Sequence, residues 1–221
     1  MSLGTHLPGH SPKAGILLVA NSALAAGEPD LTVRVRVYNY ANVSSRVLSD
    51  SEEEASRIFM ASGVDTTWVD CLAPQIHVQS APADQAGKVN VDCAGPVTEA
   101  TAVLRILPRS TPANRAFRDT MFGFATGRDM ASVFYEHVKD LAWGADKDGN
   151  EIPLILGNVI AHEVGHLLLG TNSHSPAGIM CANWDQEYVR LAMRGHQFFS
   201  LDESAALGAA VIRRNREIAQ P

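Results

Sequence analysis

The sequence predicts an α+β fold: a twisted, mostly parallel five-stranded sheet, one helix backing it, a second helix through the middle of the domain and a third at the C-terminus. Three observations carry that reading. The chain opens with strand, helix, strand; further short apolar runs follow; and residues 153–169, PLILGNVIAHEVGHLLL, are apolar nearly all round.

Leu31–Asn39 (LTVRVRVYN) alternates apolar and polar side chains with period two, the pattern of a strand with one face on a core. In SDSEEEASRIFMASG, Ser49 or Asp50 can cap a surface helix, Glu52 to Glu54 suit the positive end of its dipole, Ile58 and Phe59 face inward, and Gly63 stops it. Val64–Cys71 (VDTTWVDC) reads as a second strand, and a strand–helix–strand unit favours a parallel pair joined by a right-handed crossover. Residues 73–97, with three prolines and two glycines, read as a long loop. TAVLRIL from Thr101 is a third strand and MFGFAT from Met121 a fourth; ASVFYEHV from Ala131 is a fifth that runs into a short helix through Trp143. In ADKDGNE, Asp146, Asp148 and Asn150 alternate as in a calcium loop, but the glycine falls too early for one, which leaves an Asp-Gly turn. Pro153 is tolerated in a first helical turn and Gly170 is placed to end the central helix. SLDE, Ser200 to Glu203, is a capping box opening the last helix.

The 221 residues, 46% hydrophobic and 19% charged, suffice for one well-buried core. A net charge of -6 with no basic stripe argues against nucleic acid as a partner. Near the N-terminus Lys13 precedes an apolar run from Ala14 to Ala20 and the small-residue pattern Ala23-Leu24-Ala25. That resembles a secretory signal cleaved near Ala25 or Ala26, with residues 1–26 as leader, 27–221 as a single domain, and a secreted or periplasmic location. No other stretch approaches the roughly 20 apolar residues of a membrane span, and the expected product is a monomer. Of three cysteines, Cys71 and Cys93 recur in similar settings (WVDC, VNVDC) and in an exported chain would pair, whereas Cys181 reads as an extra ligand or a small buried hydrophobe.

A buried helix needs a physical reason to carry His162, Glu163 and His166. Histidines four apart on a helix sit about 40° apart in azimuth and about 6 Å apart along the axis, so both rings can reach one ion at roughly 2.0 to 2.1 Å. Glu163, one step round, can instead reach a water held by that ion, which is why His-Glu-x-x-His on a helix is a zinc-hydrolase motif. His174 follows in the turn beyond the helix. A downstream carboxylate, Glu187 or Glu203, competes with it as third ligand. For His6, His10, His77, His137 and His196 the expected role is that of an ordinary polar residue.

HEVGHLLLGTNSH followed by GIM resembles the metzincin clan of zinc endopeptidases, in which a third histidine beyond a glycine completes the site and a methionine-containing turn underlies it. This chain adds one residue on each side of Gly170 relative to the usual H-E-x-x-H-x-x-G-x-x-H, giving HExxHxxxGxxxH. The resemblance implies one catalytic Zn²⁺ on His162, His166 and His174, with Met180 structural beneath it. It also implies a metzincin-like catalytic domain and hydrolysis of a peptide or protein substrate. That substrate would lie extended along an edge strand, and the segment after Met180, with Trp184, Arg190 and Arg194 as candidates, would wall a side-chain pocket. Glu163 would act as general base and then acid on a water made acidic by zinc. Two other readings stay open: a zinc hydrolase of non-peptide amides or esters, and a structural or binding module with a closed zinc site.

Overall fold

The computed structural model describes residues 30–71, 101–109, 121–145 and 150–219, together with 1, 93, 95 and 97. Residues 2–26 of the expected leader, His6, His10, His77, most of the expected loop 73–97 and the Asp-Gly turn expected within 146–149 lie outside the described residues.

One five-stranded sheet organises the chain, in the order β2-β1-β3-β5-β4. Strand β1 (Thr32–Asn39) buries Val33, Val35 and Val37 on its period-two face. It pairs in parallel with β2 (Asp65–Cys71) on one side and β3 (Thr101–Leu107) on the other. Parallel pairing continues from β3 to β5 (Met130–Phe134). Among the described strands only β4 (Gly123–Thr126) runs antiparallel, and it forms the edge beside β5. It is shorter than the expected Met121–Thr126: Met121 and Phe122 precede the strand, where their side chains face a cleft.

Helix α1 (Ser45–Met60) begins five residues earlier than a cap at Ser49 would place it, because Ser44 is the cap and its hydroxyl accepts from Val47 N. The acidic run therefore lies mid-helix, away from the dipole's positive end. Nor is α1 only a surface helix, since Ser51, Glu54, Ala55, Ile58 and Phe59 are buried where it packs against α3. The chain then passes from β5 into α2 (Tyr135–Ala145). Helix α3 (Ile152–Leu169) buries every residue from Ile155 to Leu168 and ends at Gly170, which adopts the left-handed conformation with φ 65°. By length and composition α3 could cross a membrane, contrary to the expectation that only the leader is so apolar; 78% of it is buried inside the protein, as befits a core helix.

A short helix that the sequence did not announce, α4 (Gln186–Met193), is capped by Asp185, whose side chain accepts from Glu187 N and Tyr188 N. The last helix, α5 (Leu201–Ala219), opens with the expected capping box: Ser200 N donates to Glu203 Oε2 at 2.7 Å and Glu203 N to Ser200 Oγ at 3.3 Å. Cys71, at the end of β2, is disulfide-bonded to Cys93. Cys181 is free and buried.

Two glycines let α3 sit close to its neighbours. A Cβ on Gly157 would fall 2.7 Å from the Ser51 carbonyl oxygen and from Glu54 Cβ, and one on Gly165 would fall 2.9 Å from Met180 Sδ and from the Phe199 ring. Below 3.0 Å atoms of this kind collide, so α1 and the Met180 segment approach α3 only because these side chains are missing.

Candidate metal centre

His162 and His166 lie one turn apart on α3, buried at 6% exposure each. Their ring centroids are 4.6 Å apart and the rings are nearly perpendicular. Each ring is oriented through Nδ1: that of His162 meets Ile179 O at 2.8 Å, and that of His166 meets Thr171 O at 2.8 Å. A carbonyl only accepts, so both Nδ1 atoms carry the hydrogen and both Nε2 atoms present a lone pair. Those two Nε2 atoms lie 3.1 Å apart. Burial lowers the proton affinity of both rings, that of His162 to about 4, which keeps them neutral at ordinary pH.

The third imidazole arrives from outside the helix. Gly170 N donates to His166 O at 3.0 Å and Thr171 N to the same oxygen at 3.4 Å, which closes α3 and turns the chain back. The extra residue on the helical side of the glycine is absorbed as one more helical position, Leu169. His174 then lies with its ring 5.3 Å from that of His162 and 4.9 Å from that of His166, itself exposed to solvent. The turn beyond it is tied down by Ser175 N donating to Met180 O at 2.8 Å, and by Ser175 Oγ donating to Glu203 Oε1.

These groups fit a zinc ion. The ligand atoms of His162, His166 and His174 all lie within 4.8 Å of one another. Two ligands at about 2.05 Å in tetrahedral geometry are about 3.3 Å apart, close to the observed Nε2 separation. Two lone pairs facing each other at such a distance repel, and a shared cation turns that repulsion into coordination. Three imidazole nitrogen donors, two of them fixed by backbone acceptors on the far side of the ring, suit zinc better than a hard oxygen-seeking cation.

Glu163 projects beside the histidines into a cleft of about 410 Å³. It is buried, and burial pushes its carboxyl up to about 8. Edge strand β4 passes directly over it: a Cβ on Gly123 would sit 2.7 Å from Glu163 Cγ and Oε1 and 2.5 Å from the Ser132 carbonyl oxygen. Only a residue without a side chain lets the strand lie this close. A glycine inside a short strand is the one sequence signal for this position, and sequence reasoning missed it.

Met180 is buried under α3 against Gly165. Trp184 lines the cleft, 6.1 Å from the His162 ring and nearly perpendicular to it, packed between Phe122 and Tyr188. Arg190 and Arg194 do not line the cleft; Arg190 Nε donates within its own helix to Gln186 O, and Arg194 is the C-cap of α4. Glu187 is exposed on the first turn of α4, and Glu203 is engaged by Ser175 and Ser200, so neither carboxylate joins the histidines. Cys181 Sγ approaches Asn183 O at 3.5 Å and Pro176 O at 3.7 Å, outside the three-histidine group. His137 is buried with Nδ1 against Met121 O, and His196 is exposed.

No protein-family profile matches the sequence, and no curated protein matches it in sequence. Solved structures do match in fold. A zinc-dependent peptidase from Methanocorpusculum labreanum superimposes with a TM-score of 0.51 at 16% identity, covering 78% of this chain and 99% of that one. An archaemetzincin from Methanopyrus kandleri gives a TM-score of 0.51 at 14% identity, covering 81% of this chain and 96% of the other. At these identities the likeness is one of fold: the mixed sheet with its helices is the architecture of those two proteins.

Proposed function

We propose that the protein is a zinc-dependent endopeptidase, with His162, His166 and His174 holding one ion and Glu163 handling the protons of peptide hydrolysis. The observation that carries this reading is the convergence of three imidazoles, two with Nε2 lone pairs facing each other at 3.1 Å, beside a buried carboxylate in an open cleft. The two peptidases of similar fold support it. Zinc bound there supplies Lewis acidity toward a carbonyl and a water, together with a positive charge that favours the ionised form of Glu163.

The rest is the work of the chain. Strand β4 has an edge that pairs with no other described strand, and an extended peptide pairs its backbone there. Phe122, Val159 and Trp184 give the cleft an apolar wall for one substrate side chain. Glu163 Oε1 or Oε2 takes the proton of the attacking water and returns it to the leaving amine, so the base and the acid are one residue at two stages. Its buried setting keeps bulk water from competing for that proton.

Glu163→Gln tests the assignment. The variant is expected to bind one zinc per chain, as the wild type does, and to lose about 10²–10⁴-fold in turnover on an unstructured protein substrate. Wild-type turnover in that variant would overturn the role.

We also propose export, with residues 1–26 as a cleaved leader. The Cys71–Cys93 disulfide supports an oxidising compartment. Sequencing the mature N-terminus tests this, with a start just after Ala25 or Ala26 expected and an intact Met1 telling against it.

A further inference from the structure

A second cavity, of about 340 Å³, opens beside the cleft at the other end of the edge strand. It shares Ala125, His166 and Asn172 with the cleft, so the two spaces meet at the second histidine. Arginine dominates its polar lining: Arg128 from the turn between β4 and β5, and Arg213 and Arg214 from α5. None of the residues that line it is Asp or Glu, although Asp129 Oδ1 would lie 3.7 Å from a Cβ on Gly127 at its edge. In a chain of net charge -6 this runs against the average.

The three arginines differ in what they do. Arg214 is buried at 6% exposure, and its Nη2 donates to Leu167 O at 2.5 Å and to Arg128 O at 2.9 Å. It thereby fastens α5 to the end of α3 and to the β4–β5 turn, a role within the fold that also fixes a positive charge beside the cavity. Arg128 and Arg213 are exposed at the rim. Arg213 makes no ion pair or side-chain hydrogen bond with another described residue. Its planar guanidinium is a fork shaped for a carboxylate.

The sheet supplies a direction. A peptide joining the outer edge of β4, which no described strand pairs, in the commoner antiparallel sense runs opposite to Gly123–Thr126. Its residues before the scissile bond then lie toward Thr126, Gly127 and the arginines, and those after it toward Phe122 and Trp184. We propose that the arginine-lined cavity is a substrate subsite for an acidic side chain on the N-terminal side of the scissile bond, with Arg213 making the principal contact. This rests on the peptidase reading above.

The test uses the zinc-loaded wild type and matched peptides that differ only by Glu or Gln at successive positions before the cleaved bond. The expected result is a preference for Glu of about tenfold in kcat/KM at one position. Arg213→Gln should reduce that preference to about twofold or less, chiefly by lowering kcat/KM for the Glu peptide, and Arg213→Lys should keep part of it. A wild type that does not discriminate, one that prefers Glu only after the bond, or an Arg213→Gln variant with the full preference would each overturn the subsite. If no peptide is cut, the hydrolytic reading fails, and anisotropy of the same peptides, fluorescently labelled, on the zinc-loaded protein decides the subsite separately. Tighter binding of Glu peptides that Arg213→Gln abolishes would uphold it; equal binding or none would overturn it.

Discussion

The two halves of the histidine cluster are built by different means. His162 and His166 are buried on one helix, where the helical repeat sets their spacing and two backbone carbonyls fix their rings. His174 is exposed on a turn, and contacts distant in sequence set its position, chief among them Ser175 with Glu203 of α5. The helical pair is preorganised by local geometry and packing. The third ring is preorganised only as far as the turn is held, so metal affinity and loop order are coupled on that side and largely uncoupled on the other.

The sharpest way to break this comparison is to remove one ring from each half. His166→Ala is expected to abolish zinc retention and turnover, because it leaves one fixed helical imidazole and His174 on the exposed turn, a pair that is not preorganised. His174→Ala should retain a weakened site on the helical pair. Zinc content after dialysis against a graded chelator distinguishes them, and equal losses would show the two halves to be equivalent. The next effect is smaller and falls on the turn alone. Ser175→Ala, or Glu203→Gln, should weaken zinc binding about 10–100-fold while leaving the orientation of His162 and His166 intact. A chelator competition assay reads the loss, and unchanged affinity would mean that the turn needs no fastening.

The smallest effect concerns a carboxyl outside both halves and serves as a control. Glu52 on α1 is partly buried with Oε1 lacking a hydrogen-bond partner, and burial, with Asp70 nearby, pushes its carboxyl from the ordinary 4.5 up to about 7. The folded state therefore holds this proton more tightly than the unfolded chain does. Stability falls as pH rises from about 4 to about 7, and the full cost persists above that window. Glu52→Gln should stabilise the protein by about 1–2 kcal/mol at pH 8, after allowing for solvent screening, and by almost nothing at pH 4. Urea denaturation at the two pH values checks the sign; a gain confined to pH 4 would contradict it, and zinc affinity should not move.

The same division governs what could be read from the sequence. The placement of His162, Glu163 and His166 together on one helix was legible because a fixed repeat converts spacing into geometry, and the final capping box because its two halves are three residues apart. Strands β1 and β3 were legible from the burial their patterns demanded. The start of α1 was misplaced because three consecutive glutamates pull the expected N-terminus toward themselves, whereas Glu54 is there to bind Arg57 and, across the core, Asn158 of α3. Helix α4 escaped notice because eight residues are too few to display a period convincingly. What Gly123, Ser175 and Glu203 do at the site depends on partners far along the chain, and no local pattern announces it.

The two notches at Gly157 and Gly165 bear on how the protein can move. A helix seated against its neighbours at such points resists sliding along its own axis, since displacement by one residue would drive a bulkier side chain into α1 or into Met180. Breathing of the cleft must then come from the single antiparallel strand above and the exposed turn in front, while the core helix serves as the stationary anvil against which they open and shut.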